Sequence, residues 1–219
     1  MAYRHIQVEP IAGALGAEIS GVDLGQDRSD AVIAELRDAW LQHLVIVLRD
    51  QHLSPADQVD LANKLGEPVE YPFVKGLPDF PVITPVVKEA HEKVNFGGLW
   101  HTDTTYQQRP PMATLLYARE VPPYGGDTLF ANMYLAYESL SDGMRKTLDG
   151  LRSYCTGTGS RNSHGGRARE DRYADNPAMK AKLKRPDNVV TEAKDHEGAD
   201  ASWRVAMRRL SRRSLRRIW

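Results

Sequence analysis

Hydrophobic and polar positions along the chain change period several times, and each change marks an element. Ile6 to Glu9 and Ala17 to Ile19 alternate as short strands do, with Gly13 and Gly16 between them for tight turning. Ser29-Asp30 then offers a cap. Val32, Ile33, Leu36, Ala39 and Trp40 recur at helical spacing, which predicts a helix over 31–43. Leu44 to Leu48 is an unbroken apolar run and reads as a buried strand. Ser54-Pro55-Ala56-Asp57 is a helix start, a hydroxyl cap followed by proline at the first helical position, and that helix should stop at Gly66.

Beyond Gly66 the pattern loosens. Residues 66–80 are rich in proline and glycine and read as loop. Strands are predicted at 82–87, 99–105, 113–119 and 128–131, then a helix from Ser141 to Leu148 ending at Gly150, then a strand at 151–157. Residues 91–98 read as a link carrying Gly97-Gly98, and 160–200 as a long polar loop or lid. There is no internal repeat. Strands mixed with helices, without regular alternation, predict an α+β, β-rich domain whose barrel-like mouth would carry a site.

Composition narrows the reading. In 219 residues, 29 basic and 29 acidic side chains cancel, so bulk charge gives no argument for nucleic acid or membrane binding. No apolar run approaches a membrane span, and residues 1–5 lack a signal-peptide core, so a cytoplasmic location is expected. The single cysteine, Cys155, excludes an internal disulfide and fits a reducing setting. Charge is uneven, however: Arg204, Arg208, Arg209, Arg212, Arg213, Arg216 and Arg217 form a basic tail over 201–219. Its loss of hydrophobic period is the pattern of an out-of-frame or truncated end. As a native segment it would be a solvated helix or, in a third class of function, an interaction arm.

The candidate chemistry lies in Trp100-His101-Thr102-Asp103. On an extended segment, side chains two apart project to one face, so an imidazole and a carboxylate would stand together. One nitrogen and one anionic oxygen are two thirds of the facial triad that holds Fe(II) and leaves positions open for co-substrate and oxygen. Alone, His-x-Asp is equally the pattern of a surface pair. The order of motifs around it decides. Residues 15–24 (Leu-Gly-Ala-Glu-Ile-Ser-Gly-Val-Asp-Leu), His43 through Gln51, Leu65-Gly66-Glu67-Pro68, Trp100 to Tyr106, Pro110-Pro111, Val121-Pro122, Gly125-Gly126-Asp127-Thr128-Leu129 and Ala136 to Ser141 follow one another in a series. This series resembles the TauD/TfdA family of Fe(II)/2-oxoglutarate-dependent dioxygenases over about residues 1–155.

The resemblance implies a double-stranded β-helix, or jelly-roll, core with flanking helices in a single domain over 1–219, incomplete at its C-terminal side. It implies hydroxylation of a small organic substrate by oxygen, with 2-oxoglutarate decarboxylated to succinate. By motif position His101 and Asp103 would be iron ligands, and Thr128 would hydrogen-bond a 2-oxoglutarate carboxylate. Tyr71 stands where taurine-oxidising members carry a histidine, which argues against taurine. Asn95 and Tyr106, with Phe96, flank the metal motif and would line the substrate pocket; ordinary packing is the alternative for the two aromatic residues.

The family's third ligand segment, His-Pro-Val-Val-Arg-Thr-His-Pro-like, and the arginine that pairs with 2-oxoglutarate have no counterpart in the sequence. His196 is nearest in order to the missing ligand, with Arg204 or Arg208 following. His5, His43, His52, His91 and His164 read as surface, core or loop residues. Two ligands alone would hold iron weakly, and lost closing strands would expose sheet edges, which invites homo-oligomers. The alternative function is therefore a catalytically inactive jelly-roll remnant that binds a small acid or a partner protein.

Overall fold

A computed structural model describes residues 3–88, 91, 100–105, 107, 109–121, 123–125, 127–149 and 151. In chain order the elements are β1 (Gln7–Pro10), β2 (Ala17–Ser20), α1 (Asp30–His43), β3 (Ile46–Leu48), α2 (Pro55–Leu65), α3 (Met133–Glu138) and α4 (Asp142–Leu148). The three strands form one sheet in the order β1-β2-β3. β1 pairs antiparallel with β2, with Val8 opposite Ile19. β2 pairs parallel with β3, with Ala17 opposite Ile46 and Ile19 opposite Leu48. A parallel pair needs a long crossover, and α1 supplies it.

The core sits between this sheet and the two long helices. β2 shows why the alternation in the sequence matters: Ala17 and Ile19 are buried, while Glu18 and Ser20 turn away. α1 buries Val32, Ile33, Leu36 and Ala39, the stripe its spacing predicts. Leu61 of α2 joins them, with Ile6 and Leu24. Each such side chain contributes roughly 1.5–3 kcal/mol when fully buried, so this cluster outweighs any single polar contact. The run 44–48 is the exception to its prediction. β3 is half-buried, not buried, and Val47 is exposed. Among the described residues it is an edge strand of the sheet, with a ladder partner, β2, on one side only.

Polar contacts fix how these elements join. α2 starts as its sequence predicts: Ser54 Oγ accepts from the Asp57 N–H at 3.2 Å, and the Asp57 carboxylate accepts from the Ser54 N–H at 3.0 Å. Arg28 spreads its guanidinium fork over α2, donating to Asp57 at 2.9 Å and Asp60 at 2.8 Å, and also to the Leu24 carbonyl. α1 departs from its predicted cap. The Ser29 side chain makes no capping bond; instead the Asp27 carboxylate accepts the Ser29 N–H at 2.8 Å. α3 was not predicted. Asn132 creates it, its Oδ1 accepting from Tyr134 and Leu135 N–H groups while its Nδ2 donates to the Ala14 carbonyl at 2.6 Å.

The strands expected at 82–87, 99–105, 113–119 and 128–131 do not form among the described residues. Alternation makes a segment able to join a sheet, but a strand exists only where a partner supplies a ladder, and the described residues give these segments none. The 151–157 strand lies outside the described residues except for Leu151. So do the whole predicted lid and all of the basic tail.

Glu35 of α1 is the clamp for the chain's start. Its carboxylate accepts the backbone N–H groups of Arg4, His5 and Ile6 at 2.8, 2.9 and 3.2 Å. Partial desolvation pushes its pKa up, but the three backbone donors together outweigh this and hold it below the ordinary value. A depressed folded-state pKa stabilises above the unfolded-state value and loses that effect as pH falls through the folded one. Glu35→Gln is therefore expected to lower the urea midpoint at pH 7, with the gap to the parent chain closing as pH falls below about 4. A gap that is the same at pH 3 and pH 7 would contradict the clamp.

Candidate functional site

The site-bearing segment runs from Trp100 to Val121, and its attachment to the sheet is specific. Gln51, just after β3, uses its whole amide. Oε1 accepts the Leu24 N–H at 2.7 Å, and Nε2 donates to the carbonyls of Val22 at 3.2 Å and Arg49 at 3.0 Å. This shapes the link between β3 and α2. Tyr117 then docks on that link: its hydroxyl accepts the Leu53 N–H at 3.2 Å and donates to the Gln51 carbonyl at 3.1 Å. One phenol oxygen thereby replaces the two partners that a neighbouring strand would have offered.

Three residues before Tyr117, Thr114 reaches the candidate metal motif. Its Oγ1 donates to Asp103 Oδ2 at 3.1 Å. The other oxygen of the same carboxylate, Oδ1, lies 3.0 Å from His101 Nε2. The expected convergence of His101 and Asp103 is therefore present, although the segment is not a strand. Asp103 stands in a bend, and Thr104 follows in left-handed backbone at φ 50°, with the Gln107 N–H returning to the Thr104 carbonyl at 3.0 Å. A β-branched residue in that region is strained, and such strain concentrates where surrounding contacts over-determine the chain. The Thr102 and Thr105 hydroxyls close the same turn at 3.3 Å.

The pair suits a divalent cation. Metal–ligand bonds of about 2.1 Å at a right angle separate two donor atoms by roughly 3.0 Å, the distance between His101 Nε2 and Asp103 Oδ1. A neutral nitrogen with one carboxylate oxygen is the donor chemistry of a facial Fe(II) site. Both side chains are about half exposed, at 51% and 42%, so the face they share is open to solvent-borne ligands. Among the described residues no third His, Cys, Asp or Glu completes a group with them. His196, the candidate from sequence order, lies outside the described residues, as do Asn95 and Tyr106.

The other expected residues are placed as follows. Thr128 is exposed on the segment leading from Gly125, which turns at φ 79°, into Asn132 and α3. Tyr71 is half-buried, its ring edge-to-face on Phe73 at 5.8 Å between centroids, so packing is a role it demonstrably has. Thr114 and Tyr117 went unnoticed in the sequence. A threonine and a tyrosine in an apolar segment carry no motif, and only the fold brings their hydroxyls to a carboxylate and a backbone link.

Comparison with known proteins gives the family. The family model described as taurine catabolism dioxygenase TauD, TfdA family matches residues 7–215. An alpha-ketoglutarate-dependent sulfate ester dioxygenase of Pseudomonas putida is 35% identical over 147 residues, which cover 67% of this chain and 48% of that protein. An alkylsulfatase of Acinetobacter baylyi is 31% identical over 149 residues, covering 68% and 46%. Among solved structures, a taurine dioxygenase from Burkholderia xenovorans matches with a TM-score of 0.59 and 33% identity, over 69% of this chain and 53% of that one. The chain spans about half the length of the curated relatives it matches.

Removing the Tyr117 hydroxyl leaves a part-buried N–H and a carbonyl without their partner. Tyr117→Phe is expected to cost about 1–3 kcal/mol, read as a lower urea midpoint. An unchanged midpoint would show that the docking contributes nothing to stability.

Proposed function

The chain belongs to the TauD/TfdA family, whose model matches residues 7–215, and from that premise we propose that it is an Fe(II)- and 2-oxoglutarate-dependent dioxygenase acting on a small organic substrate. One observation carries the reading: His101 Nε2 and Asp103 Oδ1 converge to 3.0 Å on an open face, as two adjacent ligands of one cation do. His101 and Asp103 hold the metal. Thr128 donates its hydroxyl to a carboxylate of 2-oxoglutarate. A bound metal would activate oxygen, which is the oxidant; one oxygen atom would enter the hydroxylated substrate and the other the succinate formed as 2-oxoglutarate loses carbon dioxide. The protein's own task is to orient both and to keep the open positions open. A jelly-roll core closing around this face is part of the same proposal.

For the substrate, sulfate esters are the first class to test, because the Pseudomonas putida relative is named for them. Tyr71 cannot offer the cationic N–H of an imidazole, so a substrate other than taurine is favoured. The half exposure of His101 and Asp103 favours a second reading, a remnant that binds a small acid without turnover, since efficient oxidation needs a water-poor site. Incubation with Fe(II), ascorbate, 2-oxoglutarate and oxygen separates the two. Succinate formation supports the dioxygenase, and none at saturating iron supports the remnant.

Three substitutions probe the assignments. His101→Ala or Asp103→Ala is expected to abolish the iron-dependent absorption change on adding 2-oxoglutarate; persistence of that change in either variant removes that residue as a ligand. Thr128→Val is expected to weaken 2-oxoglutarate binding by one hydrogen bond to a charged group, about 1.5–3 kcal/mol or roughly 10- to 150-fold. Unaltered affinity would make Thr128 a structural residue.

A further inference from the structure

We propose that Thr114 is a positioning residue that fixes how Asp103 ligates the metal. The inference rests on the dioxygenase reading above and goes beyond it. A carboxylate can offer a cation one oxygen or both. If Asp103 gave both, it would fill a position that a facial site must keep for the 2-oxo acid or oxygen. The two oxygens of Asp103 are already distinguished. Oδ1 faces His101 Nε2 at 3.0 Å, and Oδ2 accepts the Thr114 hydroxyl at 3.1 Å. An ionised carboxylate only accepts and the threonine hydroxyl has one proton to give, so the bond has one polarity. It is charge-assisted, hence stronger than a neutral pair. It restrains rotation about the Asp103 Cβ–Cγ bond and leaves Oδ1 alone for the cation.

Thr114 can do this because its own position is set elsewhere. Tyr117 pins the same segment to Gln51 and Leu53 by two hydrogen bonds. Gln51 in turn is held by Val22, Leu24 and Arg49. The carboxylate is thus oriented from the rigid α/β unit, while its backbone belongs to the strained turn at Thr104. Hydroxyl donors of this kind act on a metal through its ligand, and their loss typically weakens binding about 10- to 100-fold.

The experiment titrates the full chain with Mn(II) alone, following free Mn(II) by electron paramagnetic resonance, for the parent, Thr114→Val, Thr114→Ala and Thr114→Ser. Thr114 is exposed, so the metal-free melting temperatures are expected to coincide. Thr114→Val and Thr114→Ala should bind Mn(II) about 10-fold more weakly, and Thr114→Ser, which keeps the hydroxyl, should restore most of the affinity. Equal affinity in the parent and Thr114→Val overturns the positioning role while leaving the metal site standing, as does a Thr114→Ser variant as weak as Thr114→Val. A parent chain that takes up no Mn(II) overturns both this role and the dioxygenase reading.

Discussion

The hydroxyl of Tyr117 is the joint on which the geometry of the candidate site depends. It both accepts from and donates to the backbone between β3 and α2. A strand would have been fixed by a ladder of such bonds, one per residue. The segment from Trp100 to Val121 has no ladder among the described residues, so a few discrete side-chain bonds decide where it lies. Thr114 on Asp103 is one, and Asn132 on the Ala14 carbonyl ties the following stretch in the same way. Regions held like this open locally at lower free energy than a packed sheet does. The dioxygenase site proposed above would admit a co-substrate, oxygen and a substrate in turn and could use that freedom.

Behind the joint stands a unit of a different kind. In β2, α1, β3 and α2 the apolar cluster supplies the stability, and the polar contacts supply the registration. The Gln51 amide, the Arg28 fork, the Ser54–Asp57 box and the Glu35 clamp each satisfy backbone or helix-end groups that would otherwise lack partners. A net hydrogen bond contributes only about 1 kcal/mol, but an unmet buried donor costs more. These residues therefore specify where turns lie more than they drive collapse. The consequence is structural: the surface on which Tyr117 lands is held by contacts of the α/β unit and not by the site segment itself.

What could be read from the sequence follows the range of the forces involved. α1, α2 and α4 were legible because period and caps act within a few residues; even so, Asp27 took over the turn that Ser29 was expected to cap. β1 and β2 were legible from alternation and flanking glycines. The strands expected at 82–87, 99–105, 113–119 and 128–131 do not form among the described residues, because alternation states a capacity to pair and pairing is decided by residues far away in sequence. α3 is too short to show a period, and its cause, Asn132, is shared with a contact 118 residues earlier. His101 and Asp103 were legible for a reason that survives the loss of the expected strand. Two residues separated by one can share a face in a bend as well as in a pleat, provided that something holds the bend. Thr104, Thr114 and the Gln107 N–H hold this one.

On the proposed metal role, the His101–Asp103 contact would serve two chemistries with little motion between them. With a proton on Nε2, 3.0 Å is a hydrogen bond from imidazole to carboxylate. In the other tautomer, with the proton on Nδ1, the same separation would let both atoms face one cation, as the proposed metal role requires. A pair that already stands at ligating distance spends little conformational entropy in taking up a metal. The bond that restrains the carboxylate is the one to Oδ2, on the side that a cation facing Oδ1 would not use. On the proposed metal role, the fold would hold the carboxylate by its Oδ2 and leave Oδ1 free to turn from the imidazole N–H to a metal without rebuilding the turn.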